Sequence, residues 1–143
     1  MKFSTEAVEK MAEIMVQEMN KISAEGEGIR EVETRLREFL REVGAQALGK
    51  YLEQQDEQLR GQEVICACGE VMHYVCKRSA TIVSVFGRVS YQRGYYLCEQ
   101  CHVRQAPLDR RMGIEAGQVT AGLAELLALA GVEIACEEAT RWL

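Results

Sequence analysis

Apolar residues recur at steps of three and four along the first sixty positions, which is the spacing of one face of an α-helix. Ser4 or Thr5 can cap the first helix, and the glycines at 26 and 28 form the turn that ends it. The two apolar rows are Val8, Met11, Met15, Met19 and Ile22, and then Ile29, Val32, Leu36, Leu40, Val43, Ala47 and Tyr51. We therefore predict a helical hairpin over residues 1–60. Gly44 and Gly49 interrupt the second row and are expected to kink or divide that helix.

The apolar faces of such a hairpin need further cover, either from the rest of the chain or from a second copy. We expect the hairpin to be a dimerisation element and the protein to be a homo-oligomer, most simply a dimer.

The pattern changes at Gly61 and predicts β structure over residues 61–111. Ala80–Phe86 is rich in β-branched residues, Gly87 supplies a turn, and Arg88–Leu97 continues as a second strand. Pro107, the only proline, marks the exit from this hairpin.

Residues 112–143 return to helical spacing, with an apolar row of Val119, Leu123, Leu126, Leu127 and Ala130. Gly131 is expected to stop this helix, and a short second helix is expected over Cys136–Leu143. A helix, a brief turn and a helix resemble the start of a helix-turn-helix unit, apparently truncated here. The predicted fold class is α+β, with a helical hairpin, a central β-ribbon and a C-terminal helix pair.

The composition is that of an ordinary soluble protein: 48% of the 143 residues are hydrophobic and 27% are charged. The longest apolar run, near residues 126–132, is too short to cross a bilayer, and the N-terminus lacks the features of a secretory signal. We expect a cytoplasmic protein. In a reducing compartment, clustered cysteines indicate metal binding or catalysis before disulfides.

The net charge of −5 conceals an asymmetry along the chain. Residues 1–61 carry nine Lys/Arg against thirteen Asp/Glu, and residues 112–143 carry one against five. Residues 62–111 carry seven against four, a balance of +3. A polyanion such as DNA is expected to meet this central, basic part of the chain.

Two cysteine pairs, Cys66-x-Cys68 and Cys98-x-x-Cys101, are separated by 29 residues of β-type sequence. A close pair of thiolates on each of two turns, brought together by a hairpin, matches the tetrahedral four-sulfur site of structural zinc. We predict one structural Zn²⁺ on these four residues. The alternatives are a redox disulfide and a catalytic zinc, which four thiolates disfavour because no position stays open. His73 and His102 are weaker candidate ligands.

Arg93 lies in an aromatic row of the second predicted strand, and two interpretations of it are open. It can stack on neighbouring rings and present its guanidinium to a phosphate, or its stem can pack at the sheet beside an internal acid. The candidate DNA-binding residues are Lys77, Arg78, Arg88, Arg93, Arg104, Arg110 and Arg111.

Enzymatic chemistry has no recognisable signature in the sequence. It contains no phosphate-binding glycine loop, no nucleophile motif and no carboxylates spaced along strands for a two-metal site. We therefore expect a protein that is not an enzyme and has no small-molecule substrate.

Several motifs resemble, in order, the N-terminal region of Kra-type insertion-sequence (ISKra) transposases. They are Cys66-x-Cys68-Gly, Thr81-x-x-x-x-Phe86-Gly87-x-Val89, Arg93-Gly-Tyr-Tyr96-x-Cys98-x-x-Cys101 and Pro107-Leu-Asp109. In that family a similar cysteine ribbon precedes a helix-turn-helix and a catalytic domain of RNase H-like fold. His102 departs from the family pattern, which has glycine there, and a less regular second turn is expected.

The resemblance implies recognition of DNA at element ends and multimer assembly. It does not imply strand cleavage by this chain, because the catalytic domain of the family is missing from the sequence given. The expectation from the sequence is therefore a zinc-stabilised DNA-binding and assembly module. The alternative is a protein-interaction or regulatory module in which the zinc ribbon is only structural.

Overall fold

The computed structural model describes residues 5–26 and 28–141, and it has the predicted α+β class. Its elements are α1 (Thr5–Glu25), α2 (Ile29–Arg60), β1 (His73–Ser84), β2 (Gly87–Leu97), β3 (Arg104–Gln105), α3 (Pro107–Met112) and α4 (Ala121–Arg141). The chain divides into two compact units, Met1–Leu40 and Arg41–Leu143. Within the described part of the chain, no helix combines the length and the apolar character needed to cross a membrane.

The first unit contains α1 and the beginning of α2. Ile22 is buried there, and Arg35 forms ion pairs with Glu18 and Glu25. The rest of the predicted apolar row of α1 stays open to solvent. Val8, Met11, Met15 and Met19 are between 41% and 54% exposed. The helices at the N-terminus are confirmed, and within the described residues of the first unit α1 exposes an apolar face.

A long antiparallel ribbon of β1 and β2 forms the centre of the second unit. The strands are joined by a tight turn at Val85 and Phe86, and Gly87 completes this turn with a φ of 92°. The register shifts between Tyr74 and Cys76, which leaves Val75 as an extra residue in β1. The short strand β3 pairs with the far end of β2, opposite Tyr96 and Leu97.

Side chains alternate between two faces of this ribbon. The inner face consists of Ala80, Ile82, Ser84, Val89, Tyr91 and Arg93, all of which are buried. Leu52 and Leu59 of α2 and Leu108 of α3 pack on it and complete the main core. The outer face consists of Lys77, Ser79, Thr81, Val83, Arg88, Ser90 and Gln92, all exposed or half-buried. The hairpin is therefore covered by helices on one face only.

The second half of α2 lies along the edge of β2 that does not pair with β1. A Cβ atom on Gly44 would collide with the ring of Phe86, and one on Gly49 would lie 2.9 Å from the carbonyl oxygen of Ser90. These two glycines permit close approach of the helix to the ribbon. The prediction that they divide the helix is wrong, because α2 is a single helix over Ile29–Arg60.

Two carboxylates of α2 bind backbone groups of β2 where no strand pairs with that edge. The N–H of Gln92 donates to Glu53 Oε1 at 3.1 Å, and the N–H of Gly94 donates to Asp56 Oδ1 at 2.8 Å. Asp56 is buried and also accepts from Arg60. An exposed sheet edge invites pairing with another chain, and here side chains satisfy it.

The opposite edge, on β1, is covered by the segment that leads into α4. Gly117 N–H donates to Thr81 O at 2.7 Å, Val83 N–H donates to Gln118 O at 3.1 Å, and Thr120 N–H donates to Val83 O at 2.9 Å. Val83 and Val119 thus form a parallel bridge. Both long edges of the ribbon are thus engaged over part of their length, and its outer face remains open.

The predicted C-terminal helix pair is wrong over the described residues. One helix, α4, continues through Gly131 to Arg141, so there is no turn of a helix-turn-helix at that position. Glycine in a helix interior costs about 1 kcal/mol relative to alanine. The run of Ala, Leu and Glu on both sides of Gly131 favours helix strongly enough to absorb this cost. The last two positions of the predicted second helix, 142 and 143, lie outside the described residues.

Candidate metal centre

The first cysteine pair lies on a tight turn before β1. Ile65 and Val71 form a bridge, Cys66 N–H donates to Glu70 O at 2.8 Å, and Gly69 N–H donates to Cys66 O at 2.9 Å. Gly69 has a φ of 93°, a backbone conformation that other residues adopt only at a cost. This turn directs the two sulfurs to the same side.

The second pair lies on the turn between β2 and β3. Cys98 N–H donates to Val103 O and His102 N–H donates to Cys98 O, both at 2.9 Å. His102 has a φ of 57° and is the one described non-glycine residue with a positive φ. The turn forms although histidine replaces the expected glycine, and His102 takes a left-handed conformation that glycine adopts without cost. The expectation of a less regular second turn stays a prediction.

The four sulfur atoms come together in the arrangement that a metal ion requires. Cys66 Sγ and Cys101 Sγ are 3.4 Å apart, Cys68 Sγ and Cys98 Sγ are 3.6 Å apart, and all four sulfurs lie within 4.8 Å of one another. Four sulfurs at ~2.3 Å from a central ion would be separated by ~3.8 Å. The four predicted ligands thus form one candidate metal site, and neither histidine belongs to the group.

Backbone N–H groups point at three of the sulfurs. Those of Cys101 and Gln100 donate to Cys98, that of Glu70 donates to Cys68, and that of Val103 donates to Cys101. The Cys101 N–H is the main reason that the pKa of the Cys98 thiol is lowered, to about 7. Thiolates are the metal-binding form of cysteine, and such donors stabilise them. At Cys68 and Cys101, however, the neighbouring thiols and burial outweigh the backbone donors and raise the pKa of both thiols. Cys76 lies outside the cluster and is a free, half-buried thiol.

A second, small core surrounds this site. It consists of Cys66, Met72, Tyr96 and Cys98, with Val64 partly buried against them. Two of its four buried members are thus candidate ligands, so apolar packing alone contributes little at this end of the ribbon.

Arg93 is buried on the inner face and has partners from its own chain. Its Nε donates to Asp109 Oδ2 at 3.0 Å, and its Nη1 donates to the carbonyl oxygens of Arg78 and Ser79 at 3.1 and 3.3 Å. Tyr91 donates to the other oxygen of Asp109 at 2.7 Å. The internal acid partner is therefore confirmed, and the guanidinium of Arg93 also lies over the ring of Tyr91, 5.8 Å from its centroid. Arg93 is 8% exposed and engaged within its own chain, and its contact with DNA stays a prediction.

The other predicted basic residues lie on the surface. Lys77, Arg78, Arg88, Arg104, Arg110 and Arg111 are all exposed. Arg78 stacks over the ring of Tyr95, 4.2 Å from its centroid. Lys77 and Arg88 lie on the outer face, whereas Arg110 and Arg111 lie on α3, which packs against the inner face.

Sequence reasoning missed the two acids that fix the ribbon, Asp56 and Asp109. Asp109 is part of the Pro107-Leu-Asp109 motif, which marked it as a residue of interest. Nothing in that motif indicated that its partner is Arg93. Asp56 lies at an apolar position of α2, three residues before Leu59 and four after Leu52. An acid within the apolar face of a helix is the signal that could have identified Asp56 as a buried residue.

Neither the curated proteins nor the solved structures include a match to this chain. The sequence model described as "Uncharacterised protein family (UPF0236)" matches residues 22–141, which span the ribbon, all four cysteines and the inner-face pair of Arg93 and Asp109. The chain therefore belongs to the uncharacterised protein family UPF0236.

Proposed function

We propose that this chain is a zinc-stabilised DNA-binding and assembly module of a transposase-like protein. The observation that carries the proposal is the four-thiol cluster, which ties together the ends of the one net-basic region of the sequence. Zinc suits four thiolates in a tetrahedron, and such closed sites are structural. Binding to DNA element ends is taken from the ordered motifs shared with Kra-type transposases.

Charge placement supports contact with nucleic acid at the ribbon. Six exposed Lys and Arg side chains remain in residues 62–111 once the buried Arg93 is set aside. Contacts of such residues with phosphates release counterions, so affinity is expected to fall as salt rises.

The direct test measures metal and DNA binding on the same preparation. Elemental analysis is expected to find one zinc per chain, and fluorescence anisotropy with duplex DNA is expected to show binding that weakens steeply with salt. Iron in place of zinc would correct the metal and leave the DNA proposal standing. A chain that holds zinc but binds no duplex even at low salt would overturn the DNA part.

Assembly is proposed to use the exposed apolar row of α1, with a second copy of the chain as its partner. Val8 and Met15 are 54% and 43% exposed, and they are seven residues apart, which is the repeat of a helix that packs against another helix. Light scattering is expected to give the mass of a dimer for the natural chain and of a monomer for Met15→Glu. Glu13→Gln, elsewhere on α1, is the matched control. A monomer at high micromolar concentration for the natural chain would contradict this part.

A protein-interaction module is the alternative, and one observation favours it. Leu126, Leu127, Leu129 and Val132 of α4 are between 54% and 64% exposed, which is unusual for an apolar helix in a chain that acts alone. Reversal of charge by Arg88→Glu separates the two proposals. It should abolish DNA binding under the first and leave association with a protein partner intact under the second. Arg93 is not a suitable position for this charge reversal, because its replacement would disturb the packing of the inner face.

A further inference from the structure

The outer face of the ribbon, from Lys77 to Gln92, is polar and basic. It presents two cations, Lys77 and Arg88, three hydroxyls, Ser79, Thr81 and Ser90, and one amide, Gln92. Val83 is its one apolar member and it carries no acid. Among the described residues, neither Lys77 nor Arg88 has an ion-pair partner. The face is thus a surface of unused hydrogen-bonding groups with positive charge at both ends.

Register places these groups in rows across the ribbon. Thr81 is opposite Ser90, Ser79 is opposite Gln92, and Arg88 is opposite Val83. From Lys77 to Val83 the strand advances six residues, or ~20 Å at ~3.3 Å per residue. Along one DNA strand, about six nucleotides at ~3.4 Å each cover the same length. The polar groups lie between the two cations.

The structure does not favour a protein partner on the outer face of the ribbon. An added strand is blocked at Gln92 and Gly94 on one edge by Glu53 and Asp56, and at Thr81 and Val83 on the other edge by residues 117–120. A protein partner would meet almost no apolar surface between Lys77 and Arg88, although the centres of protein interfaces are apolar and aromatic. A polyanion with hydrogen-bonding groups fits it better.

Resting on the proposed function, we propose that this outer face enters the major groove of duplex DNA. That groove is ~12 Å wide and admits a two-stranded β-ribbon. Lys77 and Arg88 bind phosphates at its walls, while Gln92, Ser79, Ser90 and Thr81 meet the edges of the bases. Glutamine pairs with two atoms of adenine in this groove, and serine and threonine bind several bases.

The form of the nucleic acid follows from the same surface. Single strands are usually held by stacking on aromatic side chains, and the outer face from Lys77 to Gln92 has none. The major groove of duplex RNA is too narrow for side chains to read. Duplex DNA is thus the preferred ligand, and single-stranded DNA and duplex RNA of the same sequence are the comparison probes.

The test uses the full zinc-loaded chain and a randomised DNA duplex library, from which bound sequences are selected. Anisotropy then compares the natural chain with the outer-face variant Lys77→Gln/Arg88→Gln and with the matched variant Arg110→Gln/Arg111→Gln. Both variants remove two charges, but the second does so on α3. Zinc content and circular dichroism confirm that each variant is folded.

The outer-face variant is expected to bind the selected duplex at least about tenfold more weakly and to lose about 1.8 from the slope of log K against log salt, at ~0.9 per phosphate contact. The α3 variant is expected to stay within about twofold. Gln92→Ala is expected to lose about fivefold to hundredfold of the preference at one selected base pair and little non-specific affinity.

Two outcomes distinguish the failure of this inference from that of the proposed function. In the first outcome, the natural chain binds duplex DNA, but the α3 variant loses affinity and the outer-face variant does not. The proposal that the outer face enters the major groove is then refuted, and the proposal of DNA binding stands. If the natural chain binds single strands or duplex RNA as tightly as it binds duplex DNA, the proposed binding in the major groove is also refuted. If it binds no duplex at any salt, both proposals fail.

Discussion

The two ends of the ribbon are held in different ways. Away from the cysteines, the inner face of the ribbon is packed by Leu52, Leu59 and Leu108, and seven buried residues form the core. Near the cysteines, a core of four buried residues includes two of the candidate metal ligands. From this difference we predict that helices stabilise one part of the ribbon through apolar burial, and that the cysteine end needs a metal ion on the four thiols.

Metal removal is expected to have the largest effect and to act on one end alone. Structural zinc contributes on the order of 10 kcal/mol to the folding of small zinc modules. After stringent chelation, amides of residues 64–72 and 98–105 should exchange hydrogen as fast as in an unfolded chain, while those of 80–92 stay protected. Hydrogen exchange followed by mass spectrometry measures both.

Cys98→Ser should reproduce the chelated state, whereas Cys76→Ser, which changes a cysteine outside the cluster, should keep the metal and the protection. Equal protection of the cysteine end with and without metal would contradict the comparison.

Leu52→Ala is expected to have the largest effect at the helix-packed end. Leu52 is 2% exposed at the centre of the main core, and removal of a buried leucine side chain costs about 2–5 kcal/mol. Urea unfolding of the zinc-loaded protein measures this loss, and the zinc content should stay unchanged. Leu40→Ala, at a position 53% exposed, should change stability by less than about 0.5 kcal/mol. Loss of zinc from Leu52→Ala would show that the two ends are not independent.

Asp109→Asn tests the ion pair between Arg93 of β2 and Asp109 of α3. It leaves the buried guanidinium of Arg93 without its carboxylate, and removal of one partner of a buried pair costs about 3–5 kcal/mol. We expect about 2–3 kcal/mol here, because two carbonyl oxygens still accept from Arg93. Thermal unfolding compares it with Glu115→Gln, an exposed acid. A change as small as that of the control would mean that the pair is dispensable.

His102→Gly is expected to have the smallest effect and to be stabilising. A non-glycine residue in the left-handed region costs roughly 1 kcal/mol, and glycine removes that cost. Gly69→Ala makes the opposite change in the other turn and should destabilise by a similar amount. Competition with a chromophoric chelator measures both as zinc affinity. Weaker zinc binding by His102→Gly would assign the imidazole a role beyond the backbone.

Local patterns in the sequence predicted most of the elements and the metal site. Each cysteine pair lies on its own turn, and the strands between them have a β-branched pattern, so the meeting of Cys66 and Cys68 with Cys98 and Cys101 follows from one hairpin. Helical spacing likewise identified α1, α2 and the start of α4. These features depend on neighbours along the chain.

Contacts between distant elements could not be predicted in the same way. Arg93 and Asp109 are 16 residues apart, and only the packing of α3 on the inner face brings them together. Gly44 and Gly49 were interpreted as breaks because their spatial neighbours, Phe86 and Ser90, were unknown. Gly131 shows the converse error, since a local rule for helix ends did not weigh the strong helix formers around it.

The two carboxylates along β2 have a consequence for how copies of this protein can gather. Sheets that present free edges can join into continuous fibrils, and a long, β-branched ribbon is prone to this. Because Glu53 and Asp56 already engage the amides of Gln92 and Gly94, these two amides are not free to pair with a strand of a neighbouring molecule. Association through α1, as proposed above, would give a closed dimer in place of an open-ended fibril.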